Sequence, residues 1–161
     1  SVTNIGTRAF NSCYSLTQIN IPDSVTNIGT RAFNSCYSLT QINIPDGVTS
    51  IGNSAFSSCY SLTQINIPDG VTSIGNGAFQ NCYSLCDILL ESKPTLSNTN
   101  AFSSLPTNYR IYVPRSDLSW FETATNWSTI YTQGHIVAIE DYINYLESIG
   151  FNVDKYKEVT P

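Results

Sequence analysis

The chain has 161 residues, of which 12% are charged and 41% hydrophobic, and its formal net charge is -5. The charged fraction is about half of the roughly 25% that is usual in globular proteins. We expect no nucleic-acid partner, because an acidic chain with so few cations has no basic surface to offer phosphates. We also expect no direct membrane insertion, since no segment has the roughly 18 consecutive apolar residues of a spanning helix.

A 23-residue repeat organises the chain. Residues 1–23, SVTNIGTRAFNSCYSLTQINIPD, recur letter for letter at 24–46. Residues 47–69 and 70–92 are edited copies, and residues 93–115 are a degenerate fifth repeat that keeps in phase Ala101, Phe102, Ile111, Val113 and Pro114. A fixed period of this length predicts a solenoid, in which each unit packs on its neighbours and no single globular core is needed.

Within one unit the apolar spacing changes from a strand period to a helical one. Residues 17–21 are predicted to be a short strand because Ile19 and Ile21 alternate with outward-facing polar residues. Residues 2–5 are predicted to be a second extended segment, and residues 7–13 about one helical turn. One unit therefore forms one coil of the solenoid.

Stacking in register brings equivalent residues of successive coils above one another. The strands are then parallel and about 4.8 Å apart, in a curved right-handed array with short helical turns and a helical cap. We expect buried columns of phenylalanine and leucine: Phe10, Phe33, Phe56, Phe79, Phe102; Leu16, Leu39, Leu62, Leu85.

The chain after the repeats is predicted to cap the array. Ser116 is placed to cap a short helix that buries Leu118 and Phe121. Trp127 is expected to cover the open end, and a strand at 136–139 to pair with residues 111–113.

Residues 140–161 are predicted to follow the cap as a helix and a tail. The helix, at 140–149, is expected to stop at Gly150, and Phe151 to contact Leu146 in a Schellman-type C-terminus. The tail beyond it lacks periodicity, so we expect loose packing or mobility there. These expectations divide the chain into repeats at 1–115, a cap at 116–139, and a C-terminal helix and tail at 140–161.

The pattern L-x-x-I-x-I-P followed by V-T-x-I-G-x-x-A-F-x-x-C at a 23-residue period resembles the BspA-type, or Treponema pallidum-type, leucine-rich repeats. The match is close over residues 1–92, and the degenerate repeat together with residues 116–139 is similar to the C-terminal cap of such arrays. The resemblance implies an extracellular or cell-surface protein that binds host or neighbouring-cell molecules. It implies no catalytic residue.

The residues that carry metal or acid-base chemistry elsewhere favour structural roles here. Four cysteines recur at the repeat period and are predicted to be buried, reduced thiols: Cys13, Cys36, Cys59 and Cys82. Zinc and catalysis are disfavoured because the single histidine, His135, is distant in sequence from these cysteines and from any nucleophile motif. The aspartate column of Asp23, Asp46 and Asp69 follows proline in turns, where such carboxylates bond their own backbone. We therefore expect no metal, no cofactor and no enzymatic activity.

Two rows of outward residues are the candidate binding surface. The first is the polar face of the predicted strands, and the second is a file of tyrosines: Thr17, Gln18, Asn20, Thr40, Gln41, Asn43, Thr63, Gln64, Asn66; Tyr14, Tyr37, Tyr60, Tyr83. The polar row can form hydrogen bonds with a glycan or an extended peptide. The tyrosines can contact sugars or protein side chains. The structural alternatives are amides that bond one another along the stack and rings that stack among themselves.

We predict an extracellular recognition or adhesion module for a protein or glycan ligand. The alternative is a structural spacer, including a fibre-like part of a phage, that presents another domain. Ser1 begins a repeat with nothing above it, so the first coil is also expected to be the least protected and a possible surface for self-association.

Overall fold

A computed structural model describes residues 1–157 as a stack of coils that carries two parallel sheets. The first sheet is built from five two-residue strands: β1 Asn4–Ile5, β2 Asn27–Ile28, β3 Ser50–Ile51, β5 Ser73–Ile74 and β7 Thr95–Leu96. The second has four strands: β4 Gln64–Ile67, β6 Asp87–Leu90, β8 Arg110–Val113 and β9 Ile136–Ala138. Every strand pairs in parallel with its counterpart in the next coil, which confirms the predicted solenoid.

The second sheet begins later in the chain than the repeat predicts. Residues 18–21 and 41–44 keep the alternation of inward isoleucine and outward amide, but they form no strand ladder. One backbone bond, from the Thr40 N–H to the Thr17 carbonyl at 3.1 Å, joins the first two coils on this side. Among the described residues, strand pairing on this side of the array is therefore found only from β4 onward.

The predicted helical turn at residues 7–13 is wrong. The chain there makes successive tight turns, closed by the Ala9 N–H on the Gly6 carbonyl and the Cys13 N–H on the Phe10 carbonyl. Arg8 and Ser12 adopt the left-handed conformation, with φ of 60° and 61°. The reason is a hydrogen bond to the neighbouring coil. The Phe10 N–H donates to the Ala32 carbonyl at 2.7 Å, whereas in a continuous helix this N–H would donate to a carbonyl of its own helix.

The predicted columns form the core. The phenylalanine rings stack with centroids 5.1 to 5.6 Å apart and interplanar angles of 3° to 8°. Leu39, Leu62 and Leu85 are fully buried, whereas Leu16 and Phe10 in the first coil are half-buried. Val2 is 56% exposed, so the first coil is the least covered part of the array.

The cap closes the other end as predicted, with two corrections. Trp127 is fully buried above Phe102, and its indole N–H donates to the Pro94 carbonyl at 2.7 Å. The strand β9 pairs with β8, as expected. Ser116, however, does not cap a helix: a 3₁₀ turn at Arg115–Asp117 leads into α1, Leu118–Thr123. A second helix, α2 at Trp127–Thr132, was not predicted.

The C-terminal region folds back on the array. The predicted helix 140–149 is a 3₁₀ turn at Ile139–Asp141 followed by a shorter helix, α3, at Ile143–Ser148. Gly150 ends it with a φ of 96°, and the Phe151 N–H reaches the Leu146 carbonyl at 2.9 Å, which is the predicted Schellman geometry. The prediction of a loose tail is wrong for residues 151–157, which include the helix α4 at Asp154–Lys157. The last four positions of the predicted tail lie outside the described residues.

Candidate ligand-binding face

The outer face of the second sheet is divided into a covered half and an open half. In β6 and β8 the outward residues Leu89 and Tyr112 are buried, because residues 143–157, here called the strap, lie on them. The strap contributes a small second core of its own: Leu146, Phe151, Val153 and Tyr156. Apolar residues at outward positions require such cover, since each exposed side chain of this size forgoes about 1.5 to 3 kcal/mol.

Polar contacts fix the strap in place. The Tyr112 and Tyr145 hydroxyls both donate to the Asp87 carboxylate, at 2.9 and 3.1 Å. Lys155 forms an ion pair with Glu91 at 2.6 Å. Burial, reinforced by the Asp87 carboxylate, raises the pKa of Tyr112 well above its usual value, so this phenol remains a hydrogen-bond donor throughout the physiological pH range.

The open half is a shallow groove over the first three coils. It has a volume of about 560 Å³ and is lined by three rows of equivalent residues and one end of the strap: Gln18, Ile19, Asn20; Gln41, Ile42, Asn43; Gln64, Ile65, Asn66; Gly150, Phe151. Of the nine predicted polar residues, the structure brings the six amides together in this groove. The three threonines, Thr17, Thr40 and Thr63, are exposed but do not line it.

The amides of the groove are largely unpaired with one another. Within residues 1–157, the single amide-to-amide contact in these rows is the Gln41 Nε2 to Gln18 Oε1 distance of 3.5 Å, at the limit of a hydrogen bond. Asn66 donates instead to Glu91 at 3.4 Å, and its buried Oδ1 has no partner. The structural alternative of a self-bonded amide ladder is therefore not what this stack forms, and donors and acceptors remain available in the groove.

The tyrosine file is arranged differently from a sugar-stacking strip. Tyr14, Tyr37, Tyr60 and Tyr83 stack face to face with centroids 4.6 to 5.1 Å apart. All four side chains are exposed, but each inner ring has both faces occupied by its neighbours. The file therefore presents mainly ring edges and hydroxyls, because both flat faces of Tyr37 and Tyr60 and one face of each end ring are used within the stack.

The cysteine column is structural in this fold. All five cysteines are free thiols, and Cys36, Cys59 and Cys82 are buried, as predicted, while Cys13 in the first coil is half-buried. Each buried thiol donates to a phenylalanine carbonyl of the preceding coil, at 3.1 to 3.3 Å. Burial raises the pKa of Cys36 to about 11 and that of Cys82 to about 12. These thiols therefore stay protonated and act as small hydrophobic donors.

The remaining titratable side chains of the described chain, 1–157, are not clustered as metal ligands. No group of three or more His, Cys, Asp or Glu side chains in that range is arranged to hold a metal ion. His135 stacks on Tyr109 with centroids 3.9 Å apart, and its Nδ1 lies 3.0 Å from the Tyr109 carbonyl oxygen. No helix in the same range is both long enough and apolar enough to span a membrane.

The sequence analysis did not predict that the strap lies on the outer face of the second sheet, although a signal for this cover exists. Leu89 and Tyr112 stand at the repeat position that holds Asn20, Asn43 and Asn66 in the first three coils. A change from asparagine to a large apolar residue at an outward position indicates that something covers that position. The residues that provide the cover, such as Phe151 and Val153, have no such periodic signature.

A family model described as the BspA type leucine-rich repeat region matches residues 3–129 in six copies. The chain therefore belongs to the BspA-type leucine-rich repeat family, which confirms the resemblance seen in its repeats. No curated protein matches it.

Similar folds occur among solved structures. The leucine-rich repeat protein of T. pallidum is 35% identical over 70% of this chain and 52% of its own length, with a TM-score of 0.63. The pneumococcal vaccine antigen PcpA is 16% identical over 82% of this chain and 36% of its own, with a TM-score of 0.58. A leucine rich cell surface protein from Faecalibacterium prausnitzii A2-165 is 29% identical over 71% of this chain and 40% of its own length, with a TM-score of 0.44. The chain thus spans about half the length of the T. pallidum protein.

Proposed function

We propose that this chain is an extracellular or cell-surface recognition module that binds a protein or glycan ligand at the open groove. The observation that carries the proposal is the set of six uncharged amides, lined up over three coils and left largely unpaired. An interaction scaffold is also the usual use of the leucine-rich repeat fold to which the chain belongs. The surface location rests on membership of the BspA-type family and is part of the same proposal.

The contrast between the two halves of the sheet face supports the proposal. In the covered half the chain has apolar outward residues, Leu89 and Tyr112, and covers them with its own strap. In the first three coils the outward residues carry hydrogen-bonding groups. The strap approaches this half only beside Gln64, since a Cβ atom added at Gly150 would lie 3.8 Å from the Gln64 amide nitrogen. The open half is therefore both reachable and chemically suited to a polar ligand.

The experiment is a binding screen of the chain on arrays of host proteins and glycans, followed by a variant of the middle row. Gln41→Ala combined with Asn43→Ala removes two exposed amides, and the matched control Asn76→Ala removes one exposed amide outside the groove. We expect reproducible hits that the double variant weakens and the control does not. Hits that are unchanged in the double variant would place the interaction elsewhere on the chain.

The tyrosine file is tested as a separate surface. Tyr60→Ala removes one exposed ring from the middle of the stack without touching the groove. We expect the array hits to survive this change, because the groove amides carry the binding. A loss of binding in Tyr60→Ala alone would transfer the proposed site to the tyrosine file.

The spacer role remains a second candidate, and one observation favours it. The phenylalanine and tyrosine columns run without interruption through four coils, so the array is suited to hold another domain at a fixed distance. A spacer has no ligand of its own. An array screen without reproducible hits would therefore favour the spacer over the recognition module.

A further inference from the structure

The groove has a regular spacing that constrains what it can bind. Its three rows belong to successive coils, and the rings that mark those coils are 4.6 Å apart in the tyrosine file and 5.3 Å apart in the phenylalanine column. The same pair of amides, one glutamine and one asparagine, is repeated in each row. A ligand that uses all three rows must offer hydrogen-bonding groups at about this interval along the stacking axis.

The chemistry of the groove indicates a neutral ligand rich in hydroxyl groups. None of the residues that line the groove carries a formal charge, so it offers no ion pair to a charged ligand. Each amide has both donors and acceptors, which suits hydroxyls, since these also donate and accept. Between the amides lie the isoleucines of the floor and the ring of Phe151 at the end, which give apolar contact to C–H surfaces.

An extended peptide fits the spacing poorly. Side chains on one face of a strand recur every two residues, or roughly 6.4 to 6.8 Å. A peptide lying along the stacking axis would therefore fall out of step with rows about 5 Å apart within two coils. A polysaccharide of linked pyranose rings has a unit close to the coil spacing. Each ring carries hydroxyls on both of its edges, so one side of the polymer offers a hydroxyl at every unit even where successive rings are rotated, and the amides can donate to or accept from either kind of hydroxyl.

We propose that the groove binds a neutral polysaccharide along the stacking axis, with one sugar unit on each of the first three coils. This inference rests on the proposed function and names its ligand class. Gly150 and Phe151 of the strap limit the groove beside Gln64 and Asn66. One end of the bound stretch therefore lies at the strap, and the three rows of this chain offer places for about three units.

The test is affinity electrophoresis of the chain in native gels that contain hydroxyethylcellulose, xyloglucan or galactomannan, with anionic hyaluronan as the charged comparison. We expect retardation by at least one neutral polymer and none by hyaluronan. Gln41→Ala with Asn43→Ala should weaken the retardation roughly tenfold, as the loss of two hydrogen bonds implies, and Asn76→Ala should not. For oligosaccharides of the retarding polymer, affinity should rise up to three units and then level off.

The outcomes separate this inference from the proposed function. If no neutral polymer retards the chain but a protein on the array binds it through Gln41 and Asn43, the polysaccharide proposal is overturned and the recognition module stands. Binding of an extended peptide by the same amides would likewise overturn the polysaccharide proposal and leave the recognition module standing. If neither polysaccharide nor protein binds, both proposals fall. Retardation by hyaluronan equal to that by the neutral polymers would also overturn the proposal.

Discussion

The phenylalanine column offers a quantitative test of stacking as the source of stability. Phe56 is fully buried and stacks on Phe33 at 5.3 Å and on Phe79 at 5.4 Å. Truncation of a buried phenylalanine to alanine costs about 3 to 5 kcal/mol. Because whole domains are stable by only about 5 to 15 kcal/mol, we expect Phe56→Ala to remove a large share of the free energy of unfolding.

The matched variant is Phe10→Ala, at the same position of the first coil. Phe10 is half-buried and has one ring partner, Phe33 at 5.1 Å. Because Phe10 has one ring partner where Phe56 has two and is only partly buried, we expect its truncation to cost about half as much, roughly 1.5 to 2.5 kcal/mol. The two variants delete the same atoms from repeats with nearly the same sequence, so the difference between them isolates the effect of position in the stack.

Urea unfolding followed by circular dichroism and by tryptophan fluorescence measures both losses. The fluorescence reports on the capped end through the buried Trp127. Equal losses for Phe56→Ala and Phe10→Ala would refute the reasoning, because they would mean that the first coil is as well packed as the third.

Three further outcomes are expected. Amide hydrogen exchange should be faster in residues 18–21 than in β4, whose N–H groups belong to a paired ladder; equal protection would show that the first coil is covered. The free energy of unfolding should fall as the pH rises above about 9, because the exposed thiols of the unfolded chain lose protons at a pKa near 9.0 while Cys36 holds its proton to about 11; a stability that is flat from pH 8 to 10.5 would contradict the buried column. Asp87→Ala should loosen the strap by removing the acceptor of two tyrosine hydroxyls, at about 1 to 3 kcal/mol, and limited proteolysis should then cleave within residues 143–157 faster than in the parent chain.

The repeat made the coil and its core predictable from sequence. Phe33, Leu39 and Ile44 are buried because their positions recur at the period of the stack, and inward-facing apolar residues at a fixed period have one consistent arrangement. The capping role of Trp127 was predictable for a similar reason, since the last coil exposes a phenylalanine ring that needs a large apolar cover.

The local backbone of the turns was not predictable in the same way. The spacing of Ala9, Phe10 and Cys13 is compatible with a helical turn, and nothing within a single unit argues against it. The hydrogen bonds that decide the conformation run between coils, as from Phe10 to Ala32. A conformation that depends on the next coil cannot be derived from one repeat.

The geometry of the candidate site was half predictable. The groove amides were found from their outward, repeated positions, but the limit that the strap sets on them was not. That limit depends on contacts between residues far apart in sequence, such as Lys155 with Glu91 and Tyr145 with Asp87. Helical periodicity in residues 140–149 indicates a buried face but not the surface that it packs on.

The strap also determines how this molecule would respond to a pulling force. It contacts Leu89, Tyr112 and Ile139 together, so it braces β6, β8 and the start of the C-terminal region from the side, and these coils would resist tension as one unit. The first coils are joined by short ladders that a force along the chain would load one coil at a time. Each released coil adds 23 residues, or roughly 76 to 83 Å of fully extended chain. Under shear the coils that the strap does not brace would therefore lengthen in steps, while the braced coils stay folded.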